Sequence, residues 1–162
     1  MNGIALILRT LHDSEQHLSD DLLTVAERHR AEHEVHHVAT DLAAWSQAHV
    51  RRLAEAAARH GTNLEGSPDP ACGDFSTSRK NASEALEHRP EPGILLLRDL
   101  RELHLSAAAN SLHWEMLAQA GQASRDTALL QLASDCHPQT SRQMRWTNTM
   151  IKTLAPQILT SL

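Results

Sequence analysis

Apolar residues recur along this chain at alternating steps of three and four, the spacing of one face of an α-helix. From about residue 3 to 30 the stripe is Ile4, Leu8, Leu11, Leu18, Leu22 and Val25, with Glu15 and His29 as polar members. From about 32 to 61 it is Val35, Val38, Leu42, Trp45, His49, Leu53 and Ala56, closed by Gly61 as a C-cap. A third stripe over 94–121 runs through Leu96, Leu100, Leu103, Ala107, Trp114, Ala118 and Gly121. The fourth, over 124–155, holds Leu129, Ala133, Cys136, Thr140, Met144, Thr147, Ile151 and Leu154, with Ser124 as its N-cap and Pro156 stopping or kinking it. No segment alternates with the period of two that a strand requires.

The connections set the topology. The first two helices are joined near Ala31 by almost nothing, so they are antiparallel neighbours. Residues 62–93 carry Gly66, Pro68, Pro70, Gly73, Pro90, Pro92 and Gly93, which break any long helix and leave room for only a short one over 78–87. A connection of this length in a compact domain carries the chain from one end of a bundle to the other. The sequence therefore predicts a single all-α domain over 1–162: a four-helix bundle of two antiparallel hairpins joined by one long crossover.

Composition supports helices and narrows the function. Aromatic residues are 2% of the chain, so its core is built from Leu, Ala, Val and Ile around Trp45, Trp114 and Trp146. A net charge of -5 with only the short basic clusters Arg28/Arg30 and Arg51/Arg52 argues against a nucleic-acid partner. The two cysteines, Cys72 and Cys136, form no disulfide framework and fit a reducing cytoplasm. The run from Ile4 to Leu8 is too short for a signal peptide, and no stretch is long and apolar enough to span a membrane. The unusual count is 12 histidines, a composition that suits metal binding or a pH-sensitive surface, and that also arises from drift on exposed faces.

Each stripe turns polar near its middle. Glu15 interrupts the first and His49 the second; Asn110 and Ser111 straddle the third; Thr140 and Gln143 lie on or near the fourth, with His137 at its edge. Glu15 and His49 lie at comparable distances from their shared turn, about 25 Å along the axis at the helical rise. With the crossover returning the chain to that end, Asn110 and Ser111 fall at nearly the same height, and His137 lands about one helical turn or less away. A buried carboxylate needs a partner or a metal. One arrangement is an internal hydrogen-bond network with His49 as the partner of Glu15. The other is a metal site of Glu15, His49 and His137, two imidazoles and a carboxylate, suited to Fe, Mn or Zn.

In these features the chain resembles the ferritin-like superfamily of di-iron carboxylate bundles. The likeness covers nearly its whole length in architecture, while the motifs are sparse. The family carries a Glu on each of two helices and Glu-x-x-His on each of the other two. Glu15 matches a single Glu and His49 a motif His, but Ser46 stands where its Glu belongs. The third helix offers Asn110 and Ser111, and in Ser134-Asp135-Cys136-His137 a Ser again replaces the Glu. The resemblance thus implies a ferritin-like domain without an intact di-iron site. Its expected role is a non-catalytic binding or interaction module, as a homodimer or with another protein. The alternative is a metal-binding relative with oxidase or metal-storage activity at the remnant site.

One further motif competes. His33-Glu34-Val35-His36-His37 contains His-Glu-x-x-His, the zinc-protease pattern. His33 and His37 project away from the stripe of Val35, Val38 and Leu42, and no third ligand accompanies them, so a surface metal clamp suits them better than a protease. No hemerythrin-type His-x-x-x-Glu, phosphate-binding loop, dinucleotide turn or nucleophile elbow is present.

Overall fold

The computed structural model describes residues 2–64 and 91–162. These residues form four α-helices and no strand: α1 (Gly3–Arg28), α2 (His33–Arg59), α3 (Pro92–Ala123) and α4 (Thr127–Thr160). Cys72, the short helix expected over 78–87 and most of the crossover lie outside the described residues.

Local chemistry sets the helix ends. The Asn2 side chain accepts from the Ala5 amide and starts α1. At the end of α2, Gly61 takes φ +74, and the amides of Gly61 and Thr62 fold back onto the carbonyls of Ala58 and Ala57. Glycine suits this left-handed position because it carries no Cβ. Arg125 fills the same place after α3 with φ 57, its amide bonding Gln122 and that of Asp126 bonding Gly121. Two sequence expectations are corrected here. Asp126, not Ser124, is the N-cap of α4, accepting from the amides of Ala128 and Leu129; Ser124 closes α3 instead. Pro156 does not stop α4, which runs on to Thr160, and Pro138 also lies within that helix. α3 starts two residues earlier than its stripe suggests because Pro92 occupies the first turn, where no amide hydrogen is needed.

Two apolar clusters give the direction of every helix. One joins Ile7, Leu8 and Leu11 of α1 to Leu53, Ala56 and Ala57 of α2, Trp114 and Leu117 of α3, and Leu129 to Cys136 of α4. The other joins Leu18 to Ala26, Val35 to Ala43, Leu96 to Ala107, and Met150. α1 and α4 therefore run one way, and α2 and α3 the other. α1 packs on α2 and α3, α3 packs on α4, and α2 and α4 meet more thinly. Gly93, at the start of α3, sits so close to the Ile158 side chain near the end of α4 that a Cβ would come within 2.8 Å.

An ionic knot centred on the buried Asp99 fastens the end of α1 to the start of α3. Arg28 donates to both carboxylate oxygens of Asp99 at 2.9 and 2.8 Å, and His29 Nε2 lies 2.7 Å from Asp99 Oδ2. Burial alone would raise the Asp99 pKa, but the bonds from His29 and Arg28 outweigh it and hold it below the usual carboxylate value. Asp99→Ala is expected to cost about 2 kcal/mol at neutral pH, the scale of a charged hydrogen bond. Because the folded pKa is depressed, this contribution is present above the ordinary carboxylate range and is lost as pH falls through the folded value. Urea midpoints for parent and variant should differ at neutral pH and converge in acid. Equal midpoints at neutral pH would mean that the knot adds nothing.

Candidate functional site

The polar level lies between the two apolar clusters, and the helices deliver it as the stripes imply. Glu15 is 0% exposed and His49 1%. Leu11 and Leu18 seat Glu15 from α1, and Leu53 one turn away seats His49 from α2. His49 Nδ1 lies 3.1 Å from Glu15 Oε1, and Trp114 Nε1 donates to that same oxygen at 3.0 Å. The Trp114 indole also stands edge-on to the imidazole, with ring centroids 5.6 Å apart. On its other side, His49 Nε2 is 2.8 Å from the Gln139 side-chain oxygen.

Both ring nitrogens of His49 therefore face acceptors, an arrangement that an imidazolium satisfies by donating twice. Burial disfavours that charge. The Cys136 sulfur, the hydrogen bond to Glu15 and the nearby carboxylate favour it, and the balance lifts the pKa from 6.5 to about 10. The centre of the bundle thus holds a protonated histidine paired with a buried carboxylate. To ligate a metal through either nitrogen, His49 would have to give up a proton it now shares with an acceptor.

His137 stands apart from this pair. It is half-buried at the α3–α4 edge, its Nε2 2.8 Å from Ser111 Oγ and its Nδ1 3.8 Å from Glu115 Oε2. Among the described residues no group of three or more His, Cys, Asp or Glu side chains is placed to hold a metal ion. The structure therefore brings together two of the three sequence candidates, Glu15 and His49. It sets the third in a separate hydrogen-bonded pair.

The inward residues of α4 at this level are Thr140 and Gln143, while Ser134 is exposed. Gln143 Nε2 donates to the Leu42 carbonyl at 3.1 Å and to Ser46 Oγ at 3.0 Å, so Ser46 does face the core. Asn110 is likewise buried, whereas Ser111 turns to the helix edge. Glu15 Oε2, Ser19 Oγ, Asn110 Nδ2, Thr140 Oγ1 and Gln143 Oε1 are all buried without a hydrogen-bond partner among the described residues. The level thus carries more hydrogen-bonding capacity than its own side chains consume. Internal water commonly meets groups of this kind.

Sequence reading missed two contributors. Gln139 lies off the α4 stripe and reaches His49 only through its length. Trp114 reads as an apolar anchor, and its N–H has no sequence signature. The clue for both was the cost of a lone buried carboxylate and its imidazolium, which together demand more than one partner.

No protein-family model matches the chain, and no curated protein or solved structure is significantly similar to it. No helix among the described residues is long and apolar enough to cross a membrane.

Proposed function

We propose that this protein is a ferritin-like bundle whose central level has become a structural ion pair, and that it works as a non-catalytic interaction module, pairing with a second copy of itself through the outer face of α3. The observation that carries this reading is that α3 is apolar on two opposite sides. Ala107, Trp114 and Gly121 form its inward line. Half a turn around, Leu105, Leu112 and Met116 are 50%, 64% and 46% exposed. A helix apolar on both faces is ordinarily covered on both. Ala109 lies between these large residues and lets another helix approach closely. Beside Met116 the face continues into a groove of about 570 Å³ lined by Ile4, Leu6, Ile7 and Ala120. A two-fold pairing of identical faces is the commonest way in which a soluble chain covers such a surface.

The ferritin-like assignment draws support from the helix directions, with α2 and α3 parallel to each other and the ends to be joined at opposite ends of the bundle. The buried, unpaired thiol of Cys136 accords with a cytoplasmic setting.

Sedimentation equilibrium of the untagged protein tests the module. The expected result is a dimer that becomes a monomer in the double variant Leu112→Glu, Met116→Glu, with helicity unchanged because both side chains are exposed. A parent that stays monomeric at high concentration overturns self-pairing.

A second reading keeps one observation in its favour: the buried Oε2 of Glu15, which has no partner among the described residues and which a cation could take. Under it, Fe, Mn or Zn held by Glu15 and His49, with His137 brought in by rearrangement, supports oxidase or storage chemistry. Stoichiometric metal in untagged protein, lost in Glu15→Ala, would select this reading over the first.

A further inference from the structure

The start of α2 presents an arrangement that the bundle itself does not use. Val35 is buried and fixes the rotation of the first turn, which leaves His33 and His37 exposed on the outside. Positions four apart meet on a helix surface. The two imidazole centroids are 4.8 Å apart with planes tilted by 37°. Neither ring makes a hydrogen bond or ion pair to another described residue. His36 sits edge-on to His37 at 5.1 Å, but its Nδ1 is committed to donating to the Ala26 carbonyl at 2.8 Å. It belongs to the turn between α1 and α2.

The 4.8 Å spacing has a chemical meaning. Imidazole nitrogen binds zinc at about 2.0–2.1 Å, which puts each ring centroid about 3.2 Å from the ion. For ligand–metal–ligand angles between roughly 90 and 109°, two such centroids are then about 4.5 to 5.2 Å apart. The 4.8 Å between the centroids of His33 and His37 falls within that range. We propose that they form a bidentate surface site for a late first-row divalent ion, Cu²⁺, Ni²⁺ or Zn²⁺, with the remaining coordination positions open to water or to a ligand from outside the chain.

The ligand chemistry is that of paired neutral imidazoles, which suits these ions and follows their usual order, copper above nickel and zinc. The positive end of the α2 dipole works against a cation here, and the exposed acids Glu32 and Glu34 offset it. The same geometry separates the site from a zinc protease. Glu34 and the two histidines have no third ligand among the described residues, so the ion has a two-point hold and no closed pocket. This inference is independent of the self-pairing face on α3 and of the buried Glu15–His49 pair.

Calorimetric titration of the untagged full chain with Ni²⁺, repeated with Zn²⁺, tests it. The expected result is one equivalent of saturable binding, weakened at least about tenfold by His33→Ala or His37→Ala because each leaves a single-point contact. Both residues are exposed, so circular dichroism of the variants should match the parent. Glu15→Gln, which alters only the buried pair, should leave the binding unchanged. In a second readout, saturating Ni²⁺ should raise the thermal midpoint of the parent and not that of the two alanine variants. Absence of binding in the parent overturns the proposal. So does binding that survives both alanine substitutions or disappears in Glu15→Gln.

Discussion

His49→Ala should lower the unfolding free energy by about 3–5 kcal/mol, the range found when one partner of a buried ion pair is removed. The cost has three sources. Glu15 would lose its counter-charge while remaining in a site with 0% exposure. The Gln139 oxygen would lose its 2.8 Å partner. A cavity of imidazole size would open between Trp114 and Leu53, adding a packing loss. Glu15→Gln should be milder than Glu15→Ala, because glutamine keeps an acceptor for Trp114 and fills the same volume. Replacing both Glu15 and His49 by leucine could recover much of the loss, since well-packed apolar residues often equal a buried ionic pair. Urea denaturation reads all four. A His49→Ala midpoint equal to the parent's would mean that the pair is not buried as described.

Stability should also fall as the solution becomes alkaline, by an amount on the order of 4 kcal/mol between neutral pH and about pH 10. In the unfolded chain a histidine titrates near 6.5, whereas folded His49 does so near 10. Between those values the folded protein binds one proton more than the unfolded chain. A group whose folded pKa is raised contributes stability that is fully present below the unfolded value and is lost as pH climbs through the folded one. The loss therefore begins near pH 6.5 and is complete just above 10. Once His49 becomes neutral, one ring nitrogen must accept, and the half-exposed Gln139 amide can turn to donate to it. That relaxation would soften the final part of the decline. Urea midpoints taken across this range should slope downward in the parent and lie nearly flat in the Glu15→Leu, His49→Leu double variant. A flat parent profile would sink the protonated state assigned to His49.

The four helices, their pairing and the inward turn of Glu15 and His49 were legible because each follows from periodicity. Leu11 and Leu18 leave Glu15 no outward orientation, and Trp45 and Leu53 do the same for His49. Helix ends were less legible. Ser124 and Asp126 are both good N-caps by residue type, and only the fold-back of the Arg125 and Asp126 amides onto α3 decides between them. The knot of Arg28, His29 and Asp99 was invisible for another reason. Asp99 reads as one more polar residue beside Leu96 and Leu100, and its partners lie some seventy residues away. His137 lies outside the pair because it follows the inward Cys136 by one residue, a 100° step that leaves it at the edge of the stripe, where height alone cannot bring it to Glu15. The outer line of Leu105, Leu112 and Met116 is masked in the sequence by the stronger inward stripe of Leu96, Leu100, Leu103 and Trp114 on the same helix.

The polar level that interrupts the core also divides it. Leu8, Leu53 and Leu129 belong to one apolar cluster and Leu22, Leu42 and Leu100 to the other, with Glu15, His49 and Gln143 between them. Strain from a changed side chain spreads through packed apolar neighbours, and here such contacts stop at a layer held by hydrogen bonds. Among the described residues the apolar core is thus organised as two short layers stacked end to end. A truncation such as Leu8→Ala and another such as Leu100→Ala draw on separate neighbourhoods, so their costs should simply add. Each half is thereby free to vary in sequence without asking the other to repack.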